Sequence, residues 1–237
     1  MFMVGIDSIK LKANIDTVKG VQQDLFLLSQ TFKNDELRNG RFYVNPPDLG
    51  IKSISYNQEN VILEMSAKVL KVDYVKLINL NTIEQAIQEV NNTSLIDIHI
   101  PNFIDSAEVL SCDFTRNIRV ENDIPDYVDA LNTLRGNTRY TFDIPKRTKH
   151  NNGIVIKGNQ SSFKERQIFY DKMIELLARK NKELVRVVGF DRLSKDFDKV
   201  LRCETNLAQM RRIRAITNTS NNLSEVLNAK TNPNRIV

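Results

Sequence analysis

The sequence predicts an α+β fold, an antiparallel central sheet with helices packed mainly on one face and the other face left as a groove. Three observations carry that expectation. Several segments alternate apolar and polar residues with the period of two that belongs to a half-buried strand: residues 4–13, 61–69, 107–117 and 199–207. Turn chemistry such as Pro46-Pro47-Asp48-Leu49-Gly50 separates neighbouring strand segments, as in a meander. Helical spacing is confined to a few amphipathic stretches.

Taken in order, residues 4–13 read as a strand, and Asp16 or Thr17 then caps a helix in which Val18, Val21, Leu25, Leu28 and Phe32 recur at helical spacing through about Lys33. Asn39-Gly40 reads as a turn, followed by short strands at 41–44, 51–57 and 61–69. Asn81-Thr82-Ile83-Glu84 has capping-box spacing and opens a helix through Val90. Residues 97–100 and 107–117 read as strands, and Pro125 suits the first turn of a helix reaching Leu134. Residues 135–152 are polar and basic, the composition of a connection. Beyond them, 153–158 and 165–171 flank Asn159-Gln160-Ser161-Ser162 as a hairpin, although Ser162 to Glu165 also has the spacing of a helix cap. A helix follows over about 172–182, then a strand at 199–207 and a basic helix carrying Arg211, Arg212 and Arg214; the polar tail from Thr217 reads as a frayed end. The expected organisation is one domain over 1–216, divisible into α+β halves at 1–134 and 153–216, with 217–237 as the tail.

Composition narrows the chemistry. With 237 residues, 41% hydrophobic and 27% charged, the chain has the usage of an ordinary globular protein, and no apolar run reaches the roughly 18 residues of a spanning helix. A soluble, cytoplasmic protein without a membrane partner is expected, because Asp7 interrupts the start before any secretory apolar region forms. Cys112 and Cys203 lie in apolar strand segments and read as reduced core residues. The net charge of +5 is unevenly placed: residues 1–150 carry 17 Lys and Arg against 20 Asp and Glu, and residues 151–237 carry 17 against 9. A basic C-terminal third fits a polyanion partner, and equally a solubility device. Glycine-rich phosphate loops, histidine pairs at zinc spacing and nucleophile elbows are all missing, His99 and His150 being far apart.

Sorting each strand by face leaves Val61, Leu63, Met65 and Ala67, then Leu110, Cys112 and Phe114, then Leu201, Cys203, Thr205 and Leu207 for the core. The opposite face gathers Glu64, Asp113, Tyr170, Lys172, Arg202 and Glu204 if these strands share a sheet. Carboxylates from separate strands hold a hard divalent ion, and a tyrosine beside a lysine becomes a competent nucleophile once its proton is taken. The same pattern also describes a solvated face with scattered ion pairs, or rings that stack bases.

Several segments, in this order, resemble the phage and plasmid replication initiators of the gene II/X type and, more distantly, the Rep_trans plasmid initiators. They are Glu64-Met65-Ser66-Ala67-Lys68 with Asn79-Leu80-Asn81-Thr82-Ile83, Leu110-Ser111-Cys112-Asp113-Phe114-Thr115, Ile168-Phe169-Tyr170-Asp171-Lys172-Met173-Ile174-Glu175, and Leu201-Arg202-Cys203-Glu204-Thr205-Asn206-Leu207. The resemblance spans roughly residues 4–215. It implies an origin-specific, metal-dependent DNA nickase and strand transferase that starts rolling-circle replication, with Tyr170 as nucleophile and Lys172 and Arg202 stabilising the transition state. It also implies Asp113 and Glu204 as metal ligands with Glu64 as a weaker third, Mg²⁺ or Mn²⁺ as the ion, and Arg211, Arg212 and Arg214 on DNA phosphates. Many such nickases bind metal through a His-hydrophobe-His pair; here only His99-Ile100-Pro101 stands, so ligation would rest on carboxylates. A host helicase and a second copy of the chain are further expected partners. Tyr140 and Tyr127 remain alternative nucleophiles, Tyr43, Tyr56 and Tyr74 having weaker charged company, and a non-catalytic DNA-binding protein is the alternative function.

Overall fold

The computed structural model describes residues 5–33, 36–46, 49–133, 140–143, 153–158 and 165–229. Its strands are β1 (Gly5–Asn14), β2 (Val18–Val21), β3 (Leu27–Lys33), β4 (Glu36–Val44), β5 (Ile51–Tyr56), β6 (Asn60–Ser66), β7 (Ile96–Ile98), β8 (Glu108–Arg119), β9 (Tyr140–Asp143), β10 (Ile154–Gly158), β11 (Glu165–Asp171) and β12 (Val200–Leu207). The helices are α1 (Ile83–Asn91), α2 (Ile100–Ser106), α3 (Ile124–Thr133), α4 (Lys172–Leu176), α5 (Lys182–Val188), α6 (Phe190–Phe197), α7 (Met210–Thr217) and α8 (Leu223–Asn228). Ten strands form one sheet in the order β3-β4-β5-β6-β1-β8-β12-β11-β10-β9, with every neighbouring pair antiparallel; β2 and β7 form a separate pair. The α+β class and the antiparallel sheet read from the alternation are therefore present.

The register explains the core. Leu11 faces Leu63 on one side and Val109 on the other, and Ile9 likewise faces Met65 and Cys112. These side chains are buried with Ile213 of α7 and Leu223 of α8 in one apolar cluster. A second cluster joins Phe169, Leu201 and Cys203 to Ile124 and Val128 of α3. Both cysteines are free and buried, as expected for reduced core residues. A register shift between Lys10 and Leu11 sets Leu110 out of the ladder, so Val109 takes the core position that strict alternation assigns to Leu110.

Other expectations are corrected. The helix expected over 17–33 is instead a 3-10 turn at Ile15–Thr17, β2, a second 3-10 turn at Gln23–Leu25 and β3. Its apolar stripe is not a buried face, since Leu25 and Leu28 are 53% and 48% exposed, and pairing with β7 and β4 wins over a marginal helical period. Asn39-Gly40 lies inside β4, at a register shift opposite Ser29 to Thr31, and acts as a bulge and not a turn. The capping box does not form: Thr82 Oγ1 donates to the Leu77 carbonyl at 2.7 Å and accepts from Asn79 N at 2.9 Å. The helix expected over 172–182 breaks after α4 into a 3-10 turn at Arg179–Asn181 before α5. The stretch expected as a frayed tail contains α8, whose Leu223 and Val226 are buried. Within the connection expected over 135–152, where the sequence leaves room for one short strand, residues 140–143 form β9; the rest of it, the hairpin tip at 159–164 and residues 230–237 lie outside the described residues.

Candidate active site

Three adjacent strands build the site by register alone. Asn117, Arg202 and Tyr170 stand side by side across β8, β12 and β11; the next row on the same face is Thr115, Glu204 and Ile168, and the one after it is Asp113, Asn206 and Arg166. Period-two alternation puts all nine on one face, the face on which the sequence reading places Tyr170, Arg202, Glu204 and Asp113; Tyr170, Arg202 and Glu204 adjoin, and Asp113 lies two rows from Tyr170. Gly153 permits the close fit beside Tyr170, because a Cβ there would sit 2.5 Å from the Phe169 carbonyl and 2.7 Å from Tyr170 Cβ.

The phenol of Tyr170 donates to Glu204 Oε1 at 2.5 Å, and Arg202 Nη1 lies 3.8 Å from that same oxygen. Arg202 Nη1 also donates to Asp7 Oδ1 at 2.9 Å and to Tyr74 Oη at 3.0 Å, while its Nε donates to Asn117 Oδ1 at 2.9 Å. The guanidinium lies over the rings of Tyr74 and Phe197, each 5.4 Å from its carbon. Sequence alternation leaves Arg202 on an outer face, yet it is fully buried: the 3-10 segment carrying Tyr74 (Ala67–Lys76) and α6 with Phe197 close over it. Lys172 is displaced from its expected place on the strand. β11 ends at Asp171, whose carboxylate accepts from Ile174 N and starts α4, so Lys172 sits in the first turn, buried, with Nζ 2.6 Å from Glu175 Oε2. Its ammonium still lies 5.7 Å from the Tyr170 ring centre and 5.2 Å from that of Tyr74.

The electrostatics follow from this packing. Burial and the neighbouring Asp7 charge push Glu204 above the usual carboxylate range despite Arg202. Burial also raises the Tyr170 phenol well above its ordinary value, and Arg202 opposes that rise. Burial lowers Lys172, with the adjacent Arg202 charge adding to the effect. For Glu175, burial acts upward, but the Lys172 and Lys180 ammoniums outweigh it and hold the carboxyl well below its usual range. A phenol hydrogen-bonded to a carboxylate of raised proton affinity is an arrangement in which the carboxylate can take the phenolic proton.

The metal set does not assemble as expected. Glu64 pairs across the ladder with Lys10 and makes ion pairs with Lys10 and Lys52, at 3.4 and 3.7 Å. Asp113 is a diagonal neighbour of Glu204, and its carboxylate is held by the Asn206 amide. No group of three His, Cys, Asp or Glu side chains among the described residues is placed to hold a metal ion. The donors therefore do not fit a three-carboxylate centre. The position between Asp7 and Glu204 is taken by the Arg202 guanidinium.

Arg211 and Arg214 project from α7 into solvent and Arg212 is half-buried. Tyr127 lies in α3, packed against the second apolar cluster, and Tyr140 lies in β9, two strands from β11. Sequence reading missed Asp7, and it gave Tyr74 weaker charged company than it has, since Asp7, Arg202 and Lys172 all lie against it. Asp7 occupies the irregularity between Ile6 and Ser8 where β1 slips against β8, and Tyr74 lies in a 3-10 segment that no apolar period announces.

Among solved structures, a rolling-circle replication initiator protein from Geobacillus stearothermophilus is similar to this chain, at 12% identity and a TM-score of 0.38, over 90% of this chain and 76% of that one. No family model and no curated protein matches the chain. No helix of the described residues is long and apolar enough to cross a membrane.

Proposed function

We propose that this protein is a DNA-nicking strand transferase that opens a replication origin through Tyr170 and so initiates rolling-circle replication of a phage, plasmid or other mobile element. The observation that carries the reading is the 2.5 Å hydrogen bond from Tyr170 Oη to Glu204, made beside the buried cation Arg202. The motif order around Tyr170 and Glu204 supports it.

In this mechanism Glu204 takes the phenolic proton as Tyr170 Oη attacks the scissile phosphorus. A Tyr170 O–P bond forms, the P–O3′ bond breaks, the 5′ end is retained as a phosphotyrosine, and the 3′ oxygen leaves as a hydroxyl after taking a proton from Lys172. The lowered proton affinity of Lys172 suits it to that donation. Arg202 stabilises the charge that builds on the phosphoryl oxygens. Attack by the free 3′-hydroxyl on the phosphotyrosine reverses the sequence and rejoins a strand. The basic helix α7 would hold the backbone through Arg211 and Arg214, a contact blind to sequence and sensitive to salt.

Supercoiled DNA carrying the origin, incubated with the protein in Mg²⁺, Mn²⁺ or EDTA, is expected to give nicked circles and a denaturant-resistant protein–DNA adduct. Tyr170→Phe is expected to retain DNA binding and lose the adduct. An adduct that survives in Tyr170→Phe would move the nucleophile elsewhere, Tyr127 and Tyr140 being the next to substitute. Specific binding with no nick under any condition would favour the non-catalytic DNA-binding protein. A strict requirement for Mg²⁺ or Mn²⁺ would return metal ligation to the account.

A further inference from the structure

We propose that Asp7 and Tyr74 are positioning residues that clamp one amino group of Arg202 so that the other, Nη2, is presented to a phosphoryl oxygen. The inference rests on the reading of Tyr170 as nucleophile and assigns a role to two side chains outside the motifs.

A guanidinium has five N–H donors in a rigid plane. In Arg202 the Nε donor goes to Asn117, and the two Nη1 donors go to Asp7 Oδ1 and Tyr74 Oη. The Tyr74 hydroxyl in turn donates to Asp7 Oδ1 at 3.3 Å, closing a triangle around Nη1. The rings of Tyr74 and Phe197 contact the guanidinium and limit its rotation. Nη2 alone is left: it is buried and has no hydrogen-bond partner among the described residues. Three donors of this fully buried arginine are satisfied by the fold, and the remaining nitrogen is the donor available to an arriving anion. Arg202 stands in the same cross-strand row as Tyr170, and Lys172 lies beside the Tyr170 ring, so Nη2 belongs to the cationic surroundings of the phenol.

The backbone is built to hold the clamp. Asp7 reaches Nη1 because β1 slips by one residue between Ile6 and Ser8, which takes it out of the alternation. Tyr74 is held in a short helical segment whose kink at Lys71 has φ 52° and whose end at Leu77 has φ 59°. Two non-glycine residues in that region mark a backbone fixed by its surroundings.

The test uses Tyr74→Phe, which keeps the ring and removes only the hydroxyl, and Asp7→Asn, which keeps an acceptor and removes the charge. In wild type the Arg202 Nε–H signal in ¹H–¹⁵N spectra is expected to be sharp and to shift on titration with inorganic phosphate. Both variants are expected to broaden that signal and weaken its phosphate response. Adduct formation at saturating DNA should slow by about 10²-fold, as for a misplaced catalytic group. Variants with a wild-type signal and wild-type transfer rate would overturn the clamp. Failure of wild type to form any adduct would overturn the nickase reading instead, and the Arg202 signal with its phosphate response would still decide the clamp. Should one variant fail to fold, the other carries the same comparison.

Discussion

At the scale of single residues, Glu204 is the group that would set the pH dependence of the proposed nicking reaction. As a base it must be ionised, and its proton affinity is raised above the ordinary glutamate value of 4.5. Nicking is therefore expected to fall on the acid side at a pH above 4.5, and Glu204→Gln to lower the rate by about 10²–10⁴-fold with DNA binding retained; a pH–rate profile of adduct formation reads both. Glu175 acts on stability in the opposite sense. Its folded carboxyl is held below the unfolded value, so its contribution is present above about pH 4.5 and is lost as pH falls. Glu175→Gln leaves the buried Lys172 ammonium without its counterion, and a loss of about 3 kcal/mol is expected in urea unfolding at neutral pH. Tyr170, Arg202 and Glu204 were legible in the sequence because each sits on a regular strand, where alternation assigns a face. The full burial of Arg202 was not legible, since it depends on Tyr74 and Phe197 closing over it from remote parts of the chain. Asp7 was hidden for a local reason, a one-residue slip that alternation cannot anticipate.

At the scale of elements, α8 is a structural part of the sheet's support. Asn222 bridges to Glu108, Leu223 N donates to the Ala107 carbonyl at 2.8 Å, and Val109 N donates to the Asn221 carbonyl at 2.8 Å. Asn222 also caps α8 by accepting from Ser224 N. Leu223→Ala is expected to cost about 2–5 kcal/mol, measured by chemical denaturation, where a frayed end would show no change. The polar composition of the tail concealed this helix: it is only six residues long, and two buried apolar side chains make too short a pattern to stand out. The false helix over 17–33 is the converse case. Val18, Val21, Leu25 and Leu28 meet the helical period, but strand partners elsewhere in the chain decided the outcome. The hairpin of β10 and β11 was legible from its two apolar runs and the turn residues between them.

At the scale of the whole molecule, charge and topology divide the work. The excess of cations in the C-terminal third gives α7 its exposed arginines, and the double variant Arg211→Ala/Arg214→Ala is expected to reduce the slope of log affinity against log salt by about 2 in a DNA-binding titration, without changing the Tyr170 chemistry. The sheet class was legible because so many segments share the two-residue period, whereas strand order was not, because β1 lies between β6 and β8 and joins distant parts of the chain. That order has a consequence for synthesis. The side chains around Arg202 come from positions 7, 74, 117, 170 and 204, and the strand carrying Arg202 and Glu204 pairs between β8 and β11. A chain emerging from the ribosome carries Tyr170 before it carries Arg202 and Glu204 of β12. On the proposed mechanism, a fragment that ends before β12 would carry the nucleophile but lack the base and the cation, and is expected not to nick DNA.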